Sequence, residues 1–158
     1  VNGRPAAGVV AELTRRGETV ATAESLTAGL VCAALTDIPG ASAVVRGGLV
    51  VYATDLKSSL AGVDAALLAE RGAVHPEVAA RLAEGARDRC GADWGLGLTG
   101  VAGPDPQDGV APGTVHVGLA GPGTRTTRTL RLAGDRHAVR AAAVTAALDL
   151  LSTALAGR

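Results

Sequence analysis

Apolar positions along the chain follow two rhythms, one helical and one of short unbroken runs. Over residues 5–16, Val9, Val10 and Leu13 share a helical face, and Gly17 follows as a stop. Residues 19–23 are short and β-rich, which predicts a buried strand. The chain then turns through Glu24-Ser25-Leu26-Thr27 into an Ala/Leu/Val-rich helix ending near Asp37, ahead of Pro39-Gly40. A strand is expected over 43–52, bent at Gly47-Gly48. Thr54-Asp55 can cap a short helix that carries Lys57 and stops at Gly62; another covers 64–70 and ends at Gly72.

Pro76 suits the first turn of a longer helix reaching about Cys90. Residues 94–99 form the next strand, with glycines at 95 and 97. The stretch 100–113, rich in Gly, Pro and Asp, is too long for a tight turn and reads as a functional loop. Strands at 114–119 and 126–132 meet at Gly121-Pro122-Gly123, and Asp135 caps a last helix running to about Leu155. Helices between the early strands and a hairpin late predict an α/β protein, a three-layer α/β/α sandwich with a mixed, mostly parallel sheet. At 158 residues, without linker or repeat, the chain is read as a single domain over 1–158.

Charge changes this picture by exclusion. Fifteen basic and fifteen acidic residues cancel, so no nucleic-acid or membrane partner is expected. No apolar run is long enough for a membrane span, and the first residues lack a basic segment followed by an apolar stretch. A cytoplasmic location is expected, and a homo-oligomer is compatible with these features. The two cysteines, Cys32 and Cys90, fall in predicted helices, the first read as a buried thiol and the second as partly exposed. Without clustered ligand spacing, no metal and no cofactor are expected.

Composition carries a sharper signal. Fourteen arginines accompany one lysine, Lys57, five residues after the only tyrosine, Tyr52. Arginine cannot lose its proton near neutral pH, whereas a desolvated lysine can. Ser25, where a strand turns toward a helix, is a candidate nucleophile, with the N–H groups of Leu26 and Thr27 as oxyanion donors and Gly29 leaving room for a ligand. Taken alone, such a serine is more often an N-cap. The histidines His75, His116 and His137 form no recognisable triad, so Lys57 is the better base, with Tyr52 as a proton relay or positioning group. The run from Thr99 through Gly100 and Gly103 follows a strand, where open α/β sheets put ligand loops. Arg136 and Arg140 lie one helical turn apart and could grip a phosphate.

These residues together resemble a known family. Thr22-Ala23-Glu24-Ser25-Leu26-Thr27-Ala28-Gly29 is similar to the Ala-Glu-Ser-Cys-Thr-Gly-Gly signature of the CinA C-terminal domain. Asp37-Ile38-Pro39-Gly40, Gly48-Leu49-Val50-Val51-Tyr52 with Lys57, Leu98-Thr99-Gly100-Val101-Ala102-Gly103-Pro104 and Gly134-Asp135-Arg136 with Arg140 continue it in order. The resemblance implies Ser25, Tyr52 and Lys57 as the catalytic group. It implies hydrolysis of the carboxamide of nicotinamide mononucleotide, a pyridine nucleotide, to nicotinic acid mononucleotide and ammonia. Substrate contacts are then expected from Glu24, Leu26, Thr27, Gly29, Thr99, Gly100, Gly103, Arg136 and Arg140. Leu26 and Ala28 depart from the signature; the Ala28 methyl is expected to bear on substrate fit. The family also includes fusions to a larger N-terminal domain. A non-catalytic nucleotide-sensing or interaction domain, or an amidase for another small amide, are the alternatives, and a mere sensor has no need of a lone lysine.

Overall fold

The computed structural model describes residues 4–157. Its elements, in order, are α1 (Arg4–Arg16), β1 (Val20–Glu24), α2 (Leu30–Thr36), β2 (Val45–Val50), α3 (Thr54–Ser59), α4 (Ala65–Arg71), α5 (Pro76–Cys90), β3 (Trp94–Gly100), β4 (Thr114–Gly121), β5 (Thr124–Arg131) and α6 (Arg136–Ala156). One 3-10 turn, Ala41–Ala43, precedes β2. The strands form one sheet in the order β2-β1-β3-β4-β5. β1 pairs in parallel with β2 and β3, and β4 runs antiparallel between β3 and β5. The expected mixed α/β/α sandwich is therefore present, with β4 the one reversed strand.

Alternation along the strands feeds two separate cores. Trp94, Leu96 and Leu98 of β3 join Val9 and Leu13 of α1, Leu35 of α2 and Leu148 and Leu151 of α6 on one face. Ala21 and Ala23 of β1 join Leu68 of α4 and Val78, Leu82 and Ala86 of α5 on the other. Among the described residues, α6 is the one helix long and apolar enough to cross a membrane. Its Val139, Ala143, Val144, Ala147, Leu148 and Leu151 are instead buried in this core.

The second face is unusually thin. A Cβ on Gly97 would lie 2.4 Å from both Ala79 O and Ala83 N, and one on Gly118 would lie 2.2 Å from Ala79 O. α5 therefore rests with its backbone almost on the sheet, which only glycine in the strands and alanine in the helix permit. This close seating carries the start of α5 and the segment before it, residues 72–75, over the carboxyl ends of the strands.

Three strands end at that edge: β1 before Ser25, β2 before Tyr52, and β3 at Gly100. A ligand crevice outside the carboxyl ends of the strands is what an open α/β sheet offers.

Two glycine substitutions should act with opposite sign. Gly97→Ala should lower stability by about 3 kcal/mol, because both clashing atoms are backbone. Gly8→Ala, in the exposed middle of α1 with nothing within 4 Å, should raise it by about 1 kcal/mol. Urea unfolding of both variants beside the parent checks the pair.

Candidate active site

Ser25 continues β1 by one residue. Its N–H donates to Leu98 O at 3.0 Å, and Val51 N–H donates to Glu24 O at 2.9 Å. Three strand ends are thus tied together around the serine, whose side chain follows the alternation of Ala21 and Ala23 toward the α3–α5 face. The chain then turns over residues 25–29, with Ala28 and Gly29 both in the left-handed region at φ 47° and 96°. Ala28 is exposed, and the φ rather than the reach of its methyl is what departs from the glycine of the signature: left-handed alanine costs about 1 kcal/mol.

Lys57, on α3, is 1% exposed, and its Nζ lies 3.0 Å from Ser25 Oγ. The same nitrogen donates to Val51 O at 2.9 Å and Tyr52 O at 3.1 Å. Among the described residues no carboxylate pairs with it. Burial alone pushes its pKa down from 10.5 to about 8. A lysine so held exchanges its proton near neutral pH, and the group it faces is a serine hydroxyl.

The cleft over this pair has a volume of about 380 Å³, a size suited to a small organic ligand. Ser25, Lys57, Tyr52, Thr99, Arg136 and the loop from Gly100 to Gln107 line it, with Leu26 at its floor. The loop is fastened at both ends, Val101 N–H donating to Thr114 O and Gly113 N–H to Val101 O. Of the expected contacts, Leu26, Thr99, Gly100, Gly103 and Arg136 reach the cleft.

The others do different work. Glu24 is fully buried and touches no cleft. Its Oε1 accepts from Thr27 Oγ1 at 2.7 Å and Val31 N–H at 2.9 Å, and its Oε2 from Thr22 Oγ1 at 2.9 Å and Cys32 N–H at 3.0 Å. The carboxylate thereby caps α2, so this helix starts at Leu30 and not at the serine, and its first-turn amides are already engaged. Leu26 and Thr27 N–H belong to the turn; among the described residues they donate to no protein acceptor. Thr27 itself is buried against Glu24, and Gly29 is the left-handed residue ahead of α2, so neither faces the cleft.

Tyr52 meets Lys57 through its carbonyl, not its phenol. The ring stands at the rim, 58% exposed, and its hydroxyl accepts from Arg136 Nη2 at 3.1 Å. No relay is required, because Lys57 contacts the serine directly. Arg136 Nη1 donates to Gly103 O at 2.7 Å. Arg140 does not join it: its Nε donates to Leu26 O at 2.8 Å from behind the turn, a brace for the serine segment. Sequence reading missed the roles of Glu24 and Arg140; the spacing of Thr22, Glu24 and Thr27, two hydroxyls flanking a carboxylate on a buried strand, was the available sign.

Elsewhere, His75 caps α5 through Nδ1, which accepts from Glu77 N–H at 3.1 Å, and His116 Nδ1 lies 2.8 Å from Thr129 Oγ1. Cys32 is only half-buried, because β2 above it is an edge strand carrying Gly48 at that point. Burial and the nearby Glu24 still push its thiol pKa up, which keeps it unreactive.

The family described as CinA C-terminal domain matches residues 4–155. A CinA-like protein of Frankia casuarinae is 54% identical over 149 residues, covering 94% of this chain and 34% of that protein. One from Anaeromyxobacter sp. is 52% identical over 148 residues, with 93% and 36% covered. The chain thus spans about a third of the length of the curated relatives it matches. Among solved structures, the competence/damage inducible protein CihA of Agrobacterium tumefaciens superposes with a TM-score of 0.92 at 35% identity, covering 97% of this chain and 94% of that one. A CinA superfamily protein of Klebsiella pneumoniae gives 0.94 at 32%, with 99% and 98% covered. A match along almost the whole described length, in sequence and in fold, makes this chain a member of the CinA C-terminal domain family.

Proposed function

We propose that this domain is a cytoplasmic serine amidohydrolase that converts nicotinamide mononucleotide to nicotinic acid mononucleotide and ammonia. The observation that carries the reading is the 3.0 Å contact between Ser25 Oγ and a buried Lys57 that has no carboxylate partner among the described residues. An ammonium has three N–H donors, and here three acceptors surround it. Neutral, it keeps two N–H donors for the carbonyls of Val51 and Tyr52, and its lone pair then faces the serine hydroxyl. Deprotonation thus turns the Ser25 contact from accepting to donating without moving an atom.

In the proposed reaction, Ser25 Oγ attacks the carboxamide carbon as its proton passes to Lys57 Nζ. The Leu26 N–H group, which lies at the cleft and donates to no protein acceptor among the described residues, receives the developing oxyanion. The carbon–nitrogen bond breaks, Lys57 returns the proton to the nitrogen, and ammonia leaves. Water then loses a proton to Lys57 and attacks the acyl carbon, and Ser25 Oγ departs with that proton. Arg136 is the proposed phosphate contact, supported by its position at the rim and by partners, Gly103 O and Tyr52 OH, that carry no charge. The choice of nucleotide rests on the family resemblance and on the cleft volume.

Ser25→Ala should lose turnover by about 10⁴-fold or more and still bind the nucleotide, since only the covalent step is removed. Ammonia release alongside calorimetric titration checks it, and turnover within tenfold of the parent rejects the nucleophile.

Lys57→Arg should fold, by circular dichroism, and be nearly inactive, because charge is kept while the lone pair is lost. For the parent, the neutral fraction of Lys57 grows as pH rises, so kcat/KM should climb through about pH 8 and level above it. A folded Lys57→Arg protein with most of the parent activity rejects the base role.

A Ser–Lys mechanism needs no bound ion, so prolonged treatment with a strong chelator should leave activity intact. Loss that zinc or magnesium restores would overturn it.

A further inference from the structure

Thr99 holds a special position relative to the nucleophile. β1 and β3 pair in parallel with Glu24 opposite Leu98, so Thr99 is the β3 neighbour of Ser25. Gly95 and Gly97 face α5, and alternation turns Thr99 to the same side, the side of Lys57. The residue is 1% exposed and lines the cleft. Its Oγ1 donates to Ala73 O, in the segment before α5, at 2.7 Å. A hydroxyl has one hydrogen and two lone pairs. With the hydrogen held by a main-chain carbonyl, what remains for a ligand is an acceptor of fixed polarity.

That polarity runs against the rest of the cleft. Lys57 and Arg136 are cationic, and the Leu26 amide is a donor. Such groups favour a carboxylate over a neutral carboxamide, and therefore the product over the substrate. The two ligands differ at one atom: the amide nitrogen carries hydrogens to donate, whereas the second carboxylate oxygen has only lone pairs.

We propose that Thr99 is the residue that reads the amide nitrogen, its Oγ1 accepting a hydrogen bond from the carboxamide NH₂ and rejecting the carboxylate. The inference rests on the amidohydrolase reading and deepens it. The leaving nitrogen is thereby held on the Lys57 side, where its proton must arrive. After hydrolysis the acid sets an anionic oxygen against the same lone pairs, which promotes its release.

The test uses Ser25→Ala protein, so that binding is read without turnover, and titrates it with nicotinamide mononucleotide and nicotinic acid mononucleotide. The amide should bind about tenfold tighter than the acid, as expected for one hydrogen bond gained and one repulsion avoided. Thr99→Val on that background should bring the ratio close to one, and Thr99→Ser should restore most of it. A purely structural role would weaken both ligands together and leave the ratio in place, which overturns the proposal; so does failure of Thr99→Ser to restore it. A second measurement needs no change at Thr99. The 3-acetylpyridine mononucleotide, with a methyl in place of NH₂, should bind Ser25→Ala about tenfold more weakly than the amide, and equal binding overturns the proposal. The two readings fail separately. Absence of ammonia release by the unmodified protein overturns the hydrolase; release with an unchanged amide-to-acid ratio in Thr99→Val overturns the role of Thr99 alone.

Discussion

A lysine ammonium withdrawn from water needs an acceptor for each of its three hydrogens, and Lys57 finds them in two carbonyls beyond the end of β2 and in the Ser25 hydroxyl. Everything around the cleft has to respect that requirement. β2 ends at Val50, and beyond it the chain leaves the strand so that Val51 O and Tyr52 O can both turn toward Lys57 Nζ. Val51 N–H is fastened to Glu24 O, which fixes this segment against β1, and Val63 N–H on Lys57 O holds the other end of the short helix. The burial is not free of consequence for folding. The folded pKa of about 8 lies below the ordinary 10.5, so the unfolded chain binds more protons between those values. Stability therefore rises with pH across that window, and at pH 7 the buried charge costs about 3 kcal/mol. The rest of the domain offsets a cost that is set by the chemistry of the site.

The thin second face is where much of that offset and the shape of the cleft meet. Because α5 lies directly on Gly95, Gly97 and Gly118, its alanines fill the space that larger side chains would take elsewhere. The helix cannot drift outward without opening a void, nor inward at all. Residues 73 and 74 just before it consequently form a fixed wall of the cleft. The Thr99 hydroxyl on Ala73 O ties this wall to β3 directly. On the other face, Glu24 and Arg140 support the Ser25 turn from behind, one through four hydrogen bonds and the other through Leu26 O.

Most of this fold was legible because its signals are local. Glycine stops, Asp135 as a cap, Pro76 in a first turn and the Gly121-Pro122-Gly123 hairpin each act within a few residues. The Ser25–Lys57 pair was legible for a different reason: one lysine among fourteen arginines is a compositional exception that burial explains. What could not be read depended on direction. Glu24 and Ser25 are adjacent, yet strand alternation sends one side chain into the α2 layer and the other into the cleft. The start of α2 followed Glu24, with Gly29 as its N-cap, four residues later than the Ser25 cap that a reading centred on Ser25 would give. Arg136 and Arg140 are one turn apart, yet one reaches the rim and the other passes behind the turn, because α6 enters over the Leu26 carbonyl. Tyr52 was singled out as a relay or positioning group, and it is its carbonyl that meets Lys57.

Two hydroxyls stand side by side at the ends of β1 and β3, and the proposed chemistry requires them to behave differently. Ser25 faces an amine whose protonation changes, so its contact with Lys57 can run in either direction. Thr99 faces a carbonyl, which can only accept, so its hydrogen stays where it is. A serine against a carbonyl would have its proton locked away from any base. A threonine against an amine would present either polarity to a ligand and could not tell NH₂ from O⁻. On the proposed reading, the partner behind each hydroxyl, and not the hydroxyl itself, decides which one reacts and which one recognises. Both partners are delivered by the same face of the sheet: Lys57 by α3, and Ala73 by the segment that the close seating of α5 holds over the strand ends.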